Sequence, residues 1–513
     1  MGYSRTNTVC MIGAVGIVVT VEASVFKPAS KAGETVRMSG LPDNVVSQAQ
    51  TRVRSAMANS ALHFPDKSVS VNFGPASLPT TGSAADLALA ITIMCADDML
   101  PAHRLGDAVL LAELGLDGSL RPVPGTLPAL TAAREAGLRT AIVSPENAGE
   151  AALVDGMTVL APRSLSTLVA WMHGQVELEA AVPAEAVAAP KTPDLADLRG
   201  QPKARRALEI AAAGGHHMLF LGPPGAGKTM LAERLPSILP PLTDDEAVEV
   251  TSLHSLRGRF TGGAAELIRH APFEAPHHST TMQALVGGGH GHVAPGSLAL
   301  AHRGVLFIDE APEWRRTVLD SLRQPLESGE VQIRRANTSI RYPAKVMLVL
   351  AANPCPCAPS RPHDCTCQAQ MKRRYLSRIS RPLLDRIDLR VDLPAVPASA
   401  ILAEHVDAEP SEPVAKRVAK AREAAAARWA EAGETWRLNS EVPGPALRSA
   451  RWRLPPERSR TVDELLMRER ITARGYDRIL KLAWTIADLR EHGSPTAEDV
   501  AAASELRLGY TIT

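Results

Sequence analysis

The sequence is poor in cysteine and in aromatic residues, and it has no excess of charge of either sign. Its 513 residues include 6 cysteines, an aromatic fraction of 4% and a formal net charge of +1. Cys10 and Cys95 stand alone in the chain, which argues against a disulfide-stapled domain and favours a reducing, cytoplasmic location. A net charge so close to zero means that any nucleic-acid-binding surface must be a local patch.

One apolar stretch is easily mistaken for a membrane or targeting segment. It reads VCMIGAVGIVVTV at residues 9–21, which is shorter than a bilayer requires and is dominated by β-branched residues and glycine. This composition predicts two short strands joined at the glycines. We therefore expect no association with a membrane.

A chain of this length is too long for one hydrophobic core, and three blocks differ in pattern. Residues 1–174 mix strand-like and helical runs, as expected for an α+β domain. Residues 195–393 alternate short apolar strands with helices, which indicates an α/β fold with a buried parallel sheet. Residues 414–513 are helical. The Ala- and Pro-rich stretches 175–194 and 394–413 are predicted linkers.

A phosphate-binding loop is the strongest motif. The apolar strand MLFLG leads into GPPGAGKT and then into a helical run, the context that G-x-x-x-x-G-K-[ST] requires. The glycines let backbone N–H groups surround a phosphate, Lys228 supplies charge to the β- and γ-phosphates, and Thr229 offers a hydroxyl to Mg²⁺. The ligands expected are therefore ATP and Mg²⁺. The predicted nucleotide-binding residues are Gly222, Pro223, Pro224, Gly225, Ala226, Gly227, Lys228 and Thr229.

Two later apolar strands end in polar residues. VLFIDE ends in Asp309, predicted to hold the Mg²⁺ shell, and Glu310, predicted to polarise the attacking water as a general base. VMLVLAAN ends in Asn353. Because ligands of α/β sheets bind outside the carboxyl ends of the strands, Asn353 is expected to orient that water or to sense the γ-phosphate.

Most of the cysteines are concentrated directly after Asn353, in AANPCPCAPSRPHDCTC at 351–367. They are Cys355, Cys357, Cys365 and Cys367. Four thiolates on one loop suit a structural, tetrahedral Zn²⁺ site, and His363 is an alternative ligand. Reduced, unliganded thiols are the competing interpretation.

These motifs resemble those of the AAA+ ATPases, and longer stretches resemble the magnesium-chelatase-like branch, specifically the bacterial YifB/ComM family. The stretches are APHHSTTMQALVGGG (275–289), LAHRGVLFIDE (300–310), LRQPLESGEV (322–331), NPCPC (353–357), RISRPLLDRIDL (378–389) and ITARGYDRILKLAWTIADL (471–489). The resemblance implies an ATP-hydrolysing hexamer and a C-terminal helical lid.

The resemblance also implies two arginine roles. Arg386 in LLDRID matches the arginine finger that reaches the γ-phosphate of the neighbouring subunit, and Arg474 in TARGYDRIL matches the sensor-2 arginine of the lid. We expect Arg386 to follow the sheet and precede the lid, and an ion pair with an adjacent aspartate is the alternative to the finger role. Arg378 and Arg381 are rival fingers. The family pattern has glycine at Arg381 and arginine at Trp484.

The N-terminal block resembles the Lon-type protease domain, a ribosomal protein S5 domain 2-type fold. PTTGSAADLAL at 79–89 resembles the segment that carries the Lon nucleophile, and the serine position is Ala84. PGTLPALTAAREAG at 124–137 resembles the segment that carries the Lon lysine, and its two lysine positions are Leu127 and Ala129. A Ser–Lys dyad needs an oxygen nucleophile and an amine, so we expect this fold without peptidase activity.

A basic hairpin suggests the substrate on which the ATP-hydrolysing hexamer acts. EVQIRRANTSIRYPA at 330–344 predicts a β-hairpin with Arg334, Arg335 and Arg341 around its tip. In related AAA+ rings an insertion here points into the central pore, where arginines suit a phosphate backbone. A solvated hairpin with ordinary surface charge is the alternative.

The YifB/ComM resemblance implies a hexameric DNA translocase that drives branch migration during recombination of incoming DNA. A chelatase-type ATPase that remodels a protein partner is the alternative function. His277 and His278 have no carboxylate or cysteine at ligand spacing, so we expect them to orient a loop and not to bind a metal.

Overall fold

The computed structural model describes residues 2–27, 36–40, 43–75, 82–182, 193–260, 265–289, 293–334, 339–359, 364–396 and 408–509. The N-terminal strands are β1 (Gly2–Ile12), β2 (Val15–Phe26), β3 (Val36–Ser39), β4 (Ser68–Gly74), β5 (Val109–Leu111), β6 (Glu113–Leu114), β7 (Leu120–Arg121), β8 (Thr140–Val143) and β9 (Thr158–Leu160). The N-terminal helices are α1 (Asp43–Asn59), α2 (Asp86–Ala96), α3 (Thr126–Glu135), α4 (Ala148–Ala151) and α5 (Leu165–Met172).

A mixed sheet organises the described N-terminal residues, in the order β3-β4-β2-β1-β5-β8-β9. Its centre is the antiparallel hairpin β1–β2, which turns at Gly13 with φ +65°. A two-residue hairpin turn favours glycine at such a position. The predicted pair of strands joined at a glycine is therefore present, but the strands have 11 and 12 residues and are not short as predicted, because each extends beyond the apolar stretch 9–21. Helix α2 is buried along its whole length beneath this sheet and is apolar on every face for that reason.

The central strands are β10 (Met218–Leu221), β11 (Phe273–Glu274), β12 (Gly287–Gly288), β13 (Ala294–Pro295), β14 (Val305–Ile308), β15 (Glu330–Arg334), β16 (Ser339–Pro343), β17 (Met347–Ala352) and β18 (Leu389–Asp392). The central helices are α6 (Pro202–Gly214), α7 (Lys228–Arg234), α8 (Asp244–Leu256), α9 (Met282–Val286), α10 (Ser297–Leu300), α11 (Arg316–Asp320), α12 (Pro325–Ser328), α13 (Ala369–Leu376) and α14 (Arg381–Leu384).

A parallel sheet lies at the centre of this part, in the order β11-β14-β17-β10-β18 among the described strands. Strands β14 and β17 are buried at every residue, because helices cover both faces of the sheet. The prediction of an α/β fold with a buried parallel sheet is confirmed. Parallel alignment also brings the carboxyl ends of β10, β14 and β17 to one edge.

The C-terminal helices are α15 (Ser411–Glu431), α16 (Gly444–Leu447), α17 (Pro456–Met467), α18 (Ala473–Leu489) and α19 (Ala497–Leu508). Their buried residues form one hydrophobic core with α6 and one face of the parallel sheet. A capping box begins α19, with Thr496 Oγ1 accepting from the N–H of Asp499 at 3.3 Å. None of the helices in the described ranges is both long and apolar enough to cross a membrane.

The predicted linkers fall only partly within the described residues, since 183–192 and 397–407 lie outside them. Before the first gap, the N–H of Ala181 donates to the carbonyl of Val159 at 2.8 Å, so this part of the predicted linker is paired with strand β9. After the second gap, α15 starts at Ser411, three residues before the predicted helix.

Candidate nucleotide site

The phosphate-binding loop leaves the carboxyl end of β10 and leads into α7. Gly225 and Gly227 have φ of +74° and +86°, and the space where a Cβ would lie is open at both. Backbone conformation, and not crowding, therefore requires glycine there. At Gly222 the reason is packing, because a Cβ would lie 2.6 Å from the carbonyl oxygen of Leu393.

Lys228 links the loop to the adjacent strand β17. Its Nζ donates to the carbonyls of Gly222 and Pro223 at 2.7 and 2.9 Å, and to Asn353 Oδ1 at 3.0 Å. Burial lowers the pKa of Lys228, and the carboxylates of Asp309 and Glu310 oppose this. The structure thus brings together residues that the sequence placed in three separate motifs.

Asp309 and Thr229 place two oxygens side by side. Thr229 Oγ1 donates to Asp309 Oδ2 at 3.0 Å, while Asp309 Oδ1 accepts from the N–H of Glu310 at 2.8 Å. The buried indole of Trp314 donates from Nε1 to the Asp309 carbonyl at 3.0 Å. A hydroxyl beside a carboxylate is a suitable ligand pair for Mg²⁺.

Glu310 projects from a turn of uncommon backbone conformation. Its φ is +48°, in the left-handed region, which costs a non-glycine residue on the order of 1 kcal/mol or more. The side chain is 51% exposed, and its Oε2 lies 4.0 Å from Nδ1 of His278. The ring of His278 packs against that of His277 at an interplanar angle of 38°, with centroids 4.0 Å apart. The histidine pair therefore lies beside the predicted general base, a neighbour that the sequence did not reveal.

The position expected for Arg386 was wrong in one respect. Arg386 precedes the edge strand β18, so it does not follow the sheet. The edge strand was missed because it has four residues, of which Arg390 and Asp392 are charged. The Arg386 side chain is 9% exposed, with Nη2 2.5 Å from Glu327 Oε1 and Nη1 donating to the Pro382 carbonyl at 2.6 Å. Its ion-pair partner is thus Glu327 and not an adjacent aspartate.

The other predicted arginines are more exposed. Arg378 is 53% exposed, with Nη1 3.2 Å from Glu313 Oε2. Arg381 begins α14 and Arg474 lies in the first turn of α18, and both are exposed. One turn after Arg474, Arg478 pairs with the buried Asp388, which ties the lid helix to the segment that contains Arg386.

Gln201 was missed by sequence reasoning. Its backbone is left-handed, with φ +56°, and its Nε2 donates to the carbonyls of Ala226 at 3.2 Å and Pro394 at 2.6 Å. These contacts join the phosphate-binding loop to the exit of β18. Pro202 marks the start of α6, but no local pattern indicates where the preceding amide points.

The four predicted cysteine ligands come together. Every Sγ lies within 4.8 Å of the others, and the distances from Cys355 to Cys357, from Cys355 to Cys365 and from Cys357 to Cys365 are 3.4, 3.5 and 3.7 Å. Four sulfurs around Zn²⁺, at about 2.3 Å each, lie about 3.8 Å apart in a tetrahedron, so the cluster fits the ion. His363 lies outside the described residues.

The basic hairpin is present as β15–β16, and its base is anchored in the core. Tyr342 is buried, and its hydroxyl donates to the Val293 carbonyl at 2.6 Å. Arg334 is exposed at the end of β15, and the tip that contains Arg335 lies outside the described residues. Arg341 does not lie around the tip as predicted: it pairs with Gln332 within the strands.

At the positions that match the Lon dyad, the side chains are apolar. Leu127 and Ala129 are each 1% exposed, and the half-buried Ala84 occupies the serine position. The neighbouring Ser83 donates its hydroxyl hydrogen to Glu113, and not to an amine.

Comparisons with known proteins give magnesium chelatase family matches along most of the chain. Family models described as "Subunit ChlI of Mg-chelatase", "Magnesium chelatase, subunit ChlI" and "Magnesium chelatase, subunit ChlI C-terminal" match residues 25–147, 194–401 and 408–507. An uncharacterized protein of Mycobacterium tuberculosis is 44% identical over 99% of both chains.

Two named relatives are similar over nearly the full length. YifB of Escherichia coli is 37% identical over 99% of this chain and 97% of its own. Competence protein ComM of Haemophilus influenzae is 42% identical over 95% of this chain and 93% of its own. The chain therefore belongs to the magnesium-chelatase-like family of AAA+ ATPases that includes YifB and ComM.

Proposed function

We propose that this ATPase is a hexameric DNA translocase that drives branch migration during recombination of incoming DNA. The observation that carries the proposal is the position of the arginine-bearing hairpin. Strands β15 and β16 are inserted between β14 and β17, which are neighbours in the sheet and are followed directly by Asp309–Glu310 and by Asn353. An insertion between these strands is well placed to convert nucleotide hydrolysis into movement of the hairpin.

In this proposal the residues at the sheet edge bind ATP and activate water. Lys228 exchanges its two carbonyl partners for the β- and γ-phosphates, which are stronger, charged acceptors. Thr229 and Asp309 hold Mg²⁺, which would neutralise charge on the phosphates. Glu310 accepts a proton from the attacking water, and Asn353 orients that water.

The ring supplies the remaining positive charge. Arg386 of one protomer approaches the γ-phosphate of the ATP bound by the next protomer. The protomer that binds this ATP contacts it with Arg474 of its own lid. An always-charged, planar guanidinium is suited to stabilising the transferring phosphoryl group. The exposed Arg378 and Arg381 are the rival fingers.

The DNA contact is assigned to hairpin 330–344. Arg334 is exposed at the end of β15, and Arg341 is 65% exposed on β16, with Nη1 3.8 Å from Glu330 Oε1. Arginines on a rigid, core-anchored hairpin are suited to the phosphate backbone of nucleic acid. That one full-length relative is named a competence protein supports a role with DNA.

A second function has support from the family models, which are described as a magnesium chelatase subunit. In that case the ring would remodel a protein partner and would be indifferent to DNA.

ATP turnover with and without forked DNA separates the two functions. We expect DNA to stimulate turnover severalfold, and the stimulation to fall steeply between about 50 and 200 mM salt, because phosphate contacts release counterions. Turnover that is the same with saturating DNA at low salt would contradict the DNA motor and favour the protein partner.

We also propose that the cysteine cluster holds one structural Zn²⁺. Its thiolates would bind the ion between Asn353 and the segment that contains Arg386, and would stiffen that connection. Mass spectrometry on protein purified without a tag should find about one zinc per chain. Cys357→Ser should lose the metal, whereas Cys95→Ser, buried beneath the N-terminal sheet, should retain it. Sub-stoichiometric zinc in the unmodified chain would contradict this assignment.

A further inference from the structure

Two segments of the central part run side by side. The approach segment, residues 311–329, leads from Glu310 to the hairpin, and the finger segment, residues 378–386, leads to Arg386. Three side-chain pairs join them: Arg378 to Glu313 at 3.2 Å, Ser380 to Asp320 at 2.5 Å, and Arg386 to Glu327 at 2.5 Å. The proposed arginine finger is therefore attached to the approach segment, which connects Glu310 with the hairpin of the same protomer.

The pair Arg386–Glu327 is asymmetric. The side chain of Arg386 is 9% exposed and that of Glu327 is 56% exposed. Within the part of the chain that the structure describes, Nε of Arg386 is buried and has no hydrogen-bond partner. In this conformation one N–H donor of Arg386 is unsatisfied. Glu327, in contrast, is exposed, so water can replace the guanidinium as its hydrogen-bond donor. Such a pair restrains the arginine and is readily exchanged for an anion.

Glu327 is rigidly connected to the base of the hairpin. It lies in α12, and β15 begins three residues later at Glu330. Ser328 Oγ donates to the Glu330 carbonyl at 2.9 Å, and the N–H of Ala344, just after β16, donates to the Gly329 carbonyl at 2.8 Å. A displacement of the hairpin base is therefore transmitted to Glu327.

We propose that Glu327 is a positioning residue that retains Arg386 against its own protomer until DNA engages the hairpin. DNA bound to the hairpin displaces α12, and this displacement breaks the ion pair between Glu327 and Arg386. Arg386 is then free to contact the nucleotide of the neighbouring protomer. This inference rests on the proposed function, because it takes DNA as the signal and Arg386 as the finger.

The direct test is ATP turnover by Glu327→Gln, which keeps the shape of the side chain and removes its charge. Basal turnover should rise severalfold toward the DNA-stimulated rate of the wild type, and the stimulation by forked DNA should fall toward one. The change should appear in kcat and not in the KM for ATP, because the finger acts on the transferring phosphoryl group. Glu412→Gln, an exposed ion-paired carboxylate in the first turn of α15, is the matched control and should behave as wild type.

A double variant shows whether the effect passes through Arg386. Glu327→Gln combined with Arg386→Ala should lose the raised basal rate. Wild-type values of both basal rate and stimulation in Glu327→Gln would overturn the proposal, as would a raised rate that survives in the double variant. If DNA does not stimulate the wild type while Glu327→Gln still raises the basal rate through Arg386, the DNA motor and the DNA signal are refuted and retention by Glu327 is supported.

Discussion

Lys228 is the residue at which the separate parts of the nucleotide site meet. It reaches back to the loop carbonyls and across to Asn353 at the end of the adjacent strand. Its burial makes the charge costly, so its pKa is lowered, and the nearby carboxylates offset part of that cost. A phosphate in place of the carbonyls would satisfy the same donors with an opposite charge.

Replacement of Glu310 should impair ATP hydrolysis, whereas replacement of Lys228 should impair ATP binding. Glu310→Gln should bind ATP as the wild type does but hydrolyse it on the order of 10² to 10⁴ times more slowly, because the amide cannot accept a proton. Lys228→Ala should lose binding itself. Fluorescent-nucleotide titration and phosphate release distinguish the two outcomes. Turnover within a few-fold of wild type in Glu310→Gln would move the general base elsewhere.

His254 should make the stability of the central part pH-dependent. Burial lowers its pKa from 6.5 to about 4, consistent with Nε2 donating to the Leu300 carbonyl and Nδ1 accepting from Arg259. The unfolded state therefore binds more protons between these values, and stability falls as the pH drops through 6.5. By pH 5 this residue lowers the free energy of unfolding by about 2 kcal/mol relative to neutral pH.

Thermal unfolding between pH 7 and pH 5 tests this contribution. The midpoint of the wild type should fall with acidification, and the fall should be smaller in His254→Gln, which can still donate to Leu300. Equal falls in both proteins would contradict the assigned neutral state.

At the scale of elements, the hairpin illustrates what periodicity predicts and what it does not. Alternating residues in 330–344 predicted two strands, and both are present. The register was not predictable, because it depends on which residues form the turn. Arg341 consequently lies opposite Gln332 and closer to Glu330 than a tip residue would be.

Arg334 should contribute to DNA affinity through the phosphate backbone. Arg334→Ala should weaken binding of different single-stranded sequences by a similar factor and lower the slope of log affinity against log salt by about one. Fluorescence anisotropy at several salt concentrations measures both quantities. Arg316→Ala, an arginine 67% exposed on α11, is the control and should keep the wild-type slope. Equal slopes in all three proteins would exclude Arg334 from the DNA contact.

The helical lid accommodates a departure from the family pattern. Trp484 stands where that pattern has arginine, and it packs against Trp429 and Trp452 with centroids 6.0 and 5.8 Å away. The guanidinium of Arg428 lies 4.5 Å above the Trp484 ring and pairs with Asp488. A neighbouring helix thus supplies a cation at this place, a compensation visible only after α15 and α18 pack together.

At the scale of the whole molecule, described residues of the N-terminal part contact the central part at the β1–β2 turn and beside helix α8. A Cβ at Gly13, in the β1–β2 turn, would lie 2.6 Å from Ile340 of the hairpin strand β16. Buried Glu150 accepts a hydrogen bond from Ser255 at the end of α8, and the N–H of Gly125 donates to the Ser255 carbonyl at 3.1 Å. The N-terminal part therefore contacts the hairpin that we assign to DNA.

The sequence predicted the sheet, the hairpin and the residues at the strand ends, because strand periodicity and loop motifs are local. It did not predict the docking of the N-terminal part or the partner of Arg386. Glu327 and Arg386 are 59 positions apart in numbering, and no local pattern pairs them. Such contacts are set by how helices pack on the sheet.

Mixing two inactive variants tests most directly the central claim that ATP is cleaved between protomers. Glu310→Gln keeps the finger and Arg386→Ala keeps the general base, so a ring of both contains some complete interfaces, roughly a quarter at equal amounts. We predict that the mixture hydrolyses ATP well above the average of the separate variants. Activity at that average, or full turnover by a chain that stays monomeric with ATP, would contradict the account.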